Sequence, residues 1–284
     1  MNRPLRIELD NACYHITARG DRRSTIFRTD SDRLTWLALL AEACHRFDFT
    51  VLAYCQMGNH YHLVLRTRQG KLARGMRFLN GNYSQYFNRQ HQLVGHVFQG
   101  RYHALLCQES EYLKELSRYT VLNPVRAGLV EHPSHWLWSS YGALIGTVDV
   151  PAWLERDTVL AQFGSEREAA IRAFEDFVLA GISQGSPFPA VRNQLFLGSA
   201  DFCELAARGE IQGDVLEIKR TQRRAFVRQL EDYFLLCPDR QEAMAQAYLS
   251  HDYTMAEIAD FCGVSARTVG RAVKAYRKMS DCRS

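Results

Sequence analysis

His60 and His62 stand one residue apart in the run Ala53-Tyr54-Cys55-Gln56-Met57-Gly58-Asn59-His60-Tyr61-His62-Leu63-Val64-Leu65. The flanks read as strand, from Thr50 to Tyr54 and from Tyr61 to Leu65, with Gly58-Asn59 as the turn between them. Side chains alternate along a strand, so both imidazoles project from one face and Tyr61 from the other. Two neutral imidazoles side by side are half of a divalent-metal site, and the remaining ligands must come from elsewhere. The plain alternative is a polar surface pair.

A second chemical candidate lies downstream, in Ser110-Glu111-Tyr112-Leu113-Lys114-Glu115-Leu116-Ser117-Arg118-Tyr119-Thr120-Val121-Leu122-Asn123-Pro124. Leu113, Leu116 and Val121 have helical spacing, Ser110 fits an N-cap and Glu111 lies in the first turn. Pro124 predicts a helix end near Leu122 or Asn123. Tyr119 and Asn123 are four apart and share a helix face. If that face covers the histidine strand, the site holds two imidazoles, one amide oxygen and one phenol. A metal can position a phosphodiester while a phenolate attacks it. Taken alone, Tyr119 reads more readily as a core aromatic than as a nucleophile.

The elements that must position these groups follow the order β-α-β-β-α-β-α. A strand is expected over about 13–19, a helix over 31–47 and two strands around Gly58-Asn59. A second helix is expected over 71–88, a strand over 102–108, and then the tyrosine helix. Leu34, Leu37, Leu40, Ala41 and Cys44 mark the expected apolar face of the first helix; Met76, Leu79, Tyr83, Tyr86 and Phe87 mark that of the second. The fold class is α+β: an antiparallel sheet packed by helices, ferredoxin-like or RRM-like. Aromatic and basic residues interleave over 74–89 and at Arg101-Tyr102-His103, where base stacking competes with core packing. His91, His96 and His103 read as surface histidines. Trp136, Trp138 and Tyr141 read as a flap on this domain, with Tyr141 a weak rival nucleophile.

Gly58-Asn59-His60-Tyr61-His62-Leu63-Val64-Leu65 resembles the His-hydrophobic-His motif of the single-tyrosine HUH transposases. Arg118-Tyr119-Thr120-Val121-Leu122-Asn123-Pro124-Val125-Arg126-Ala127-Gly128-Leu129-Val130 resembles the tyrosine segment of their REP-associated branch. Tyr14-His15-Ile16-Thr17-Ala18-Arg19-Gly20-Asp21, Phe98-Gln99-Gly100-Arg101-Tyr102 and Trp138-Ser139-Ser140-Tyr141 are similar to further segments of that branch. Asp21 stands where asparagine is common, and Thr120-Val121 replaces a more usual Ile-His or Ile-Glu pair. The resemblance implies a nuclease that cuts single-stranded, hairpin-forming DNA with Mg²⁺ or Mn²⁺. It implies a 5′-phosphotyrosine link and a free 3′-hydroxyl. By position it makes His60 and His62 metal ligands, Tyr119 the nucleophile and Asn123 a candidate third ligand.

Composition fits an intracellular DNA-processing protein. The chain has 284 residues, 46% of them hydrophobic, enough for two packed domains. No run of about 20 uncharged apolar residues is present, which argues against a membrane span or membrane partner. The eight cysteines form no Cys-x-x-Cys pair, so zinc finds no support, and they read as reduced thiols in the cytoplasm. Charge is uneven. Residues 1–150 hold 18 Lys/Arg against 12 Asp/Glu, or +6; residues 151–284 hold 17 against 19, or −2. Within the latter, 219–228 carries five basic and no acidic residues, and 265–284 carries six basic and one acidic. Such clusters attract phosphates or are solvated helix faces.

The expected layout is a catalytic domain over 1–146, a helical connector over 147–190 and a C-terminal all-α domain over 191–284. In the last, 253–276 resembles a helix-turn-helix. Gly263 permits the left-handed turn and Ser265 caps the next helix. Val269 and Val273 face inward, and Arg267, Thr268, Arg271 and Lys274 are left to meet duplex DNA in a major groove. A plain helical hairpin is the rival, and Lys219-Arg220-Thr221-Gln222-Arg223-Arg224 is a candidate start for another helix. Three functions fit: the strand-transferring nuclease, a DNA-binding regulator with an inert nuclease domain, and a replication-initiator nickase. The sequence allows a monomer or a homodimer.

Overall fold

The computed structural model describes residues 7–184, 191–192, 195–207, 229–237, 239–250 and 252–281. These fall into two compact units, one ending at Ala207 and the other beginning at Gln229. The basic stretch 219–228 lies outside the described residues.

Strand β1 (Ala12–Arg19) alternates Tyr14, Ile16 and Ala18 with His15, Thr17 and Arg19, which gives it one apolar and one polar face. β3 (His60–Thr67) pairs antiparallel with β1 and sets Thr17 opposite His62 and Arg19 opposite His60. β2 (Phe49–Gln56) flanks β3, and β4 (His103–Cys107) flanks β1, both antiparallel. The order β2-β3-β1-β4, with helices α1 (Asp30–Phe47) and α2 (Leu72–His91) as crossovers, is the split β-α-β arrangement. Two short strands, β5 (Val191–Arg192) and β6 (Phe196–Leu197), extend this sheet beyond β4, with β6 parallel to β4. The sheet is therefore mixed where the sequence suggested a purely antiparallel one. Val191–Arg192 and Phe196–Leu197, expected beyond the connector, join the first unit's sheet; two-residue strands carry no readable periodicity.

Helix α1 starts at a capping box in which Thr29 and Asp32 satisfy each other's backbone N–H. Its buried face is Arg33, Trp36, Leu40, Ala43 and Cys44, whereas Leu34 is 58% exposed. The expected stripe keeps Leu40 and Cys44 but is rotated so that the fully buried Trp36 and the buried cap residue Asp32 turn inward in place of Leu34. Asp32 also accepts from His91 at 3.0 Å, which ties the end of α2 to the start of α1. Tyr83 and Phe87 of α2 are core residues; the Tyr83 hydroxyl donates to the Ile26 carbonyl.

Helix α3 (Glu109–Arg126) covers the other face of the sheet. Leu113, Leu116, Val121 and Leu122 pack with Cys13, Ala53 and Val64 of the strands. It begins after Gln108 rather than at Ser110, and it runs through Pro124 instead of stopping there. Proline withholds the N–H that would reach the Thr120 carbonyl. Asn123 Nδ2 compensates, donating to the carbonyls of Tyr119 at 2.8 Å and Thr120 at 3.4 Å. Short helices α4 (Tyr141–Ile145) and α5 (Arg156–Leu160) and the longer α6 (Arg167–Ala180) finish this core, followed by α7 (Ala200–Ala207). The tryptophan flap is anchored to β2: the Gln56 N–H donates to the Trp138 carbonyl, and Trp136 Nε1 donates to the Gln56 carbonyl. Arg33 lies over both indoles at 5.4 and 5.2 Å.

The second unit has helices α8 (Leu230–Leu236), α9 (Arg240–Leu249), α10 (Met255–Cys262) and α11 (Ala266–Asp281). Met244, Ala245, Ala247, Tyr253, Ile258, Ala259, Val269, Ala272 and Val273 form its core. Thr254 and Glu257 cap α10, and Gly263 at φ 65° ends it. No helix among the described residues is long and apolar enough to cross a membrane.

Gly75 is where α2 comes closest to the sheet: a Cβ there would collide with the Phe49 ring. Gly75→Ala gains helix propensity but overpacks the contact, and should lower stability by about 1–2 kcal/mol net. Urea unfolding is the check; an unchanged or raised midpoint would mean Phe49 yields freely.

Candidate active site

Pairing β1 with β3 gathers the polar face of one strand beside that of the other. His15, Thr17 and Arg19 from β1, His60 and His62 from β3, and His103 and Leu105 from β4 line a cavity of about 620 Å³. Tyr119 of α3 and Val191 of β5 complete the wall. The His60 and His62 rings lie 5.1 Å apart, and Tyr119 meets His62 and His15 edge-on at 5.6 and 6.0 Å. The structure therefore brings together three residues that the sequence singled out separately.

Hydrogen bonds fix the imidazoles. Asn59 Nδ2 donates to the Arg23 carbonyl, so its Oδ1 accepts, and it lies 2.7 Å from His60 Nδ1. That assigns the proton to His60 Nδ1 and leaves the Nε2 lone pair for an ion. His62 Nδ1 is 3.1 Å from His15 Nε2. With the proton on His62 Nδ1, its Nε2 is likewise a ligand atom. Holding a ligating imidazole through its other nitrogen is the usual second layer of a metal site. Among the described residues no cluster of three or more His, Cys, Asp or Glu surrounds a common point.

Burial dominates the titration. It pushes His15 down to about 3, with His103 adding repulsion. Burial, then Arg19, brings His60 to about 4. His62 is held well below the usual imidazole range by burial and by His15, His60 and Arg19. All three are neutral at physiological pH, as ligands must be. Burial raises the Tyr119 phenol, opposed by the nearby charges of Arg126 and Arg19. Arg126 sits over the Tyr119 ring at 5.1 Å.

Asn123 is not among the residues lining the cavity, and its amide nitrogen is turned onto its own helix. Tyr141 is fully buried and bonds Glu175, away from the cavity lining. His91 is engaged by Asp32, and His96 lines a different cavity. His103, read as a surface histidine, lines the cavity. His15, Thr17 and Arg19 are site residues that the sequence reading misses; their signal is the polar alternation His15-x-Thr17-x-Arg19, which parallels His60-x-His62. In the second unit, Arg267, Arg271 and Lys274 are exposed along one side of α11, opposite buried Val269, Ala272 and Val273. Thr268 is half-buried, bonded to Ser265 and approached by Arg271.

Residues 8–121 match the family described as "Transposase IS200 like". The match spans β1 to the middle of α3 and includes His60, His62 and Tyr119; it ends before Asn123. No curated protein matches the chain. Among solved structures, the chain is similar to a REP-associated tyrosine transposase bound to a REP hairpin, at 16% identity and a TM-score of 0.45, covering 53% of this chain and 89% of that one. It is also similar to tRNA(His) guanylyltransferase from Saccharomyces cerevisiae, at 10% identity and a TM-score of 0.33, over 69% of this chain and 88% of that one. At TM-scores this low, neither likeness adds to the fold or the chemistry.

The buried histidines make stability depend on pH. Above about pH 6.5 His15 is neutral whether the chain is folded or not. As pH falls from 6.5 toward about 3, the unfolded chain takes up a proton that the native state refuses. Stability is therefore lost on acidification, at about 1.4 kcal/mol per pH unit for this group once below its unfolded pKa. In metal-free protein, His15→Gln should flatten the fall in urea-unfolding free energy between pH 6 and 4 by that amount. An unaltered slope would show that His15 titrates equally in both states.

Proposed function

We propose that this protein, whose residues 8–121 match the family described as "Transposase IS200 like", cuts and rejoins single-stranded, hairpin-forming DNA of REP-like type with Tyr119 as nucleophile. The observation that carries the reading is the packing of Tyr119 edge-on against His62, in the cavity that His60 also lines. Tyr119 Oη forms a bond to phosphorus and loses its proton. The bond to the 3′ oxygen breaks, and that oxygen takes up a proton to leave as a hydroxyl. The 5′ end stays on the enzyme as a phosphotyrosine, and the reverse attack by a 3′-hydroxyl reseals a strand.

His60 and His62 would hold a divalent ion, Mg²⁺ or Mn²⁺, through their Nε2 atoms. Such an ion would supply positive charge to polarise the scissile phosphate, and oxygen ligands are what Mg²⁺ and Mn²⁺ prefer beyond the two imidazoles. The donor set is compatible with this, since both imidazoles are neutral and their Nδ1 atoms are occupied. Arg19, on the cavity wall beside His60, adds a positive charge for the phosphate. Burial raises the energy of the phenolate, and Arg126 above the ring and Arg19 offset part of that cost. Asn123 Nδ2 donates to the Tyr119 and Thr120 carbonyls, which leaves Oδ1 as the atom that would reach an ion.

Wild-type protein should give a metal-dependent covalent protein–DNA band on a denaturing gel with labelled hairpin oligonucleotides. Tyr119→Phe should abolish that band and keep DNA binding. An undiminished band in the variant would remove Tyr119 from the role. Retained binding with no band from wild type would leave a DNA-binding protein without the chemistry.

We assign the second unit to duplex DNA, with Arg267, Thr268, Arg271 and Lys274 on the contacting face of α11. The reading draws support from the αL turn at Gly263 and from the basic side of α11. Lys274→Ala should weaken duplex binding whatever the sequence and reduce the slope of log affinity against log salt by about 1. A slope that does not change would take Lys274 off the phosphates.

A further inference from the structure

A second cavity lies at the same end of the sheet as His60. It measures about 500 Å³ and is formed by one side of α2 and the loop 95–102. Arg19, His60 and His103 mark this end, since Arg19 pairs with His60 and Thr17 with His103. The loop is fastened there: Gly20 bridges Phe98, and the Gln99 N–H donates to the Arg19 carbonyl at 2.8 Å. Gly95 and Gly100 take φ of 96° and 72°, which lets the loop fold back along the helix.

The two cavities are linked through one strand. His60 and His62 face α3, and Tyr61 between them faces α1 and α2, where its ring packs on Trp36 at 4.6 Å. The Tyr61 hydroxyl donates to Asn80 Oδ1 at 2.7 Å. Asn80 lines the second cavity, and this bond fixes its amide so that Nδ2 is the donor left at the wall. Phe98 and Tyr102 form the inner wall, each only 7% exposed, and Arg77 and Arg101 are exposed guanidiniums at the margin. A planar π system, an acceptor on its edge and an adjoining phosphate are what these groups match together. The volume is that of a small-ligand site.

We propose that this cavity takes one unpaired nucleobase of the DNA strand, close to the phosphate that Tyr119 attacks. The assignment rests on the DNA-cleaving reading for its ligand class. It makes the strand wrap the end of the sheet, with a phosphate on the histidine face and a base on the helix face. Binding there holds the strand in register, so the cavity positions and selects substrate and takes no part in bond breaking.

Gly81 allows a clean test. It lines the cavity, a Cβ there meets nothing within 4 Å, and replacing a helical glycine favours the helix. Gly81→Phe adds a ring at the cavity's lining. The probe is a fluorescein-labelled twelve-nucleotide oligothymidylate, with a set in which one base at a time is removed to leave an abasic sugar. Binding is read by anisotropy in Tyr119→Phe protein, so that cleavage does not enter, and thermal unfolding reports whether the variant is folded. Base stacking of the usual strength predicts about tenfold weaker binding for Gly81→Phe. It also predicts that one abasic position costs the parent a similar factor and costs Gly81→Phe nothing. Arg77→Gln, on the rim, should weaken binding several-fold and reduce its salt dependence. Parent-like affinity in Gly81→Phe, or abasic losses identical in both proteins, overturns the proposal. A wild-type covalent band with binding indifferent to Gly81 sinks this inference alone. Cavity-dependent binding with no covalent band sinks the cleavage reading alone.

Discussion

Register between β1 and β3 is the constraint on which the rest depends. Setting Thr17 opposite His62 and Arg19 opposite His60 puts five polar residues of two strands on one face. A slip of one residue would turn His60 and His62 into the apolar layer beneath α1 and α2, and Tyr61 into the cavity. The apolar alternates Tyr14, Ile16, Tyr61, Leu63 and Leu65 forbid that slip, since all are buried on the helix side. The site is thus specified by the core on the opposite face of the same strands.

Burial then does two things at once. It keeps His15, His60 and His62 neutral, and it makes each unmet polar atom costly, so the imidazoles are held by hydrogen bonds. Asn59 is held in turn by the Arg23 carbonyl, and the turn residue Gly58 accepts from Ile26 and Phe27. The short β2–β3 connection is therefore a rigid support for His60.

Helix α3 has a different problem. It must carry Tyr119 past a proline, and it does so because Asn123 lends its side-chain amide to backbone carbonyls of the interrupted turn. Arg126, one turn further on, lies over the Tyr119 ring and donates to the Gly181 carbonyl at the end of α6. The aromatic ring is set between imidazole edges on one side and a guanidinium on another. Its position is a property of three elements.

Local rules were enough for much of this. Period two put His60 and His62 on one face, helical spacing put Tyr119 on a helix, and turn chemistry at Gly58-Asn59 and Gly263 set two connections. The order of elements through α3 followed from the same patterns. What needed tertiary structure was everything carried by pairing between distant segments. His15 becomes the partner of His62 only through cross-strand register, 47 residues apart. Leu34 is exposed because Trp36 and Asp32 set the helix's rotation, a contest that spacing alone does not resolve. Asn123 shares a face with Tyr119 by spacing, and only the folded helix shows its Nδ2 donating to the backbone carbonyls around Pro124. Alternation and spacing dictate which residue types face together along each element, whereas which faces meet follows from register and burial, and those are settled by the whole core.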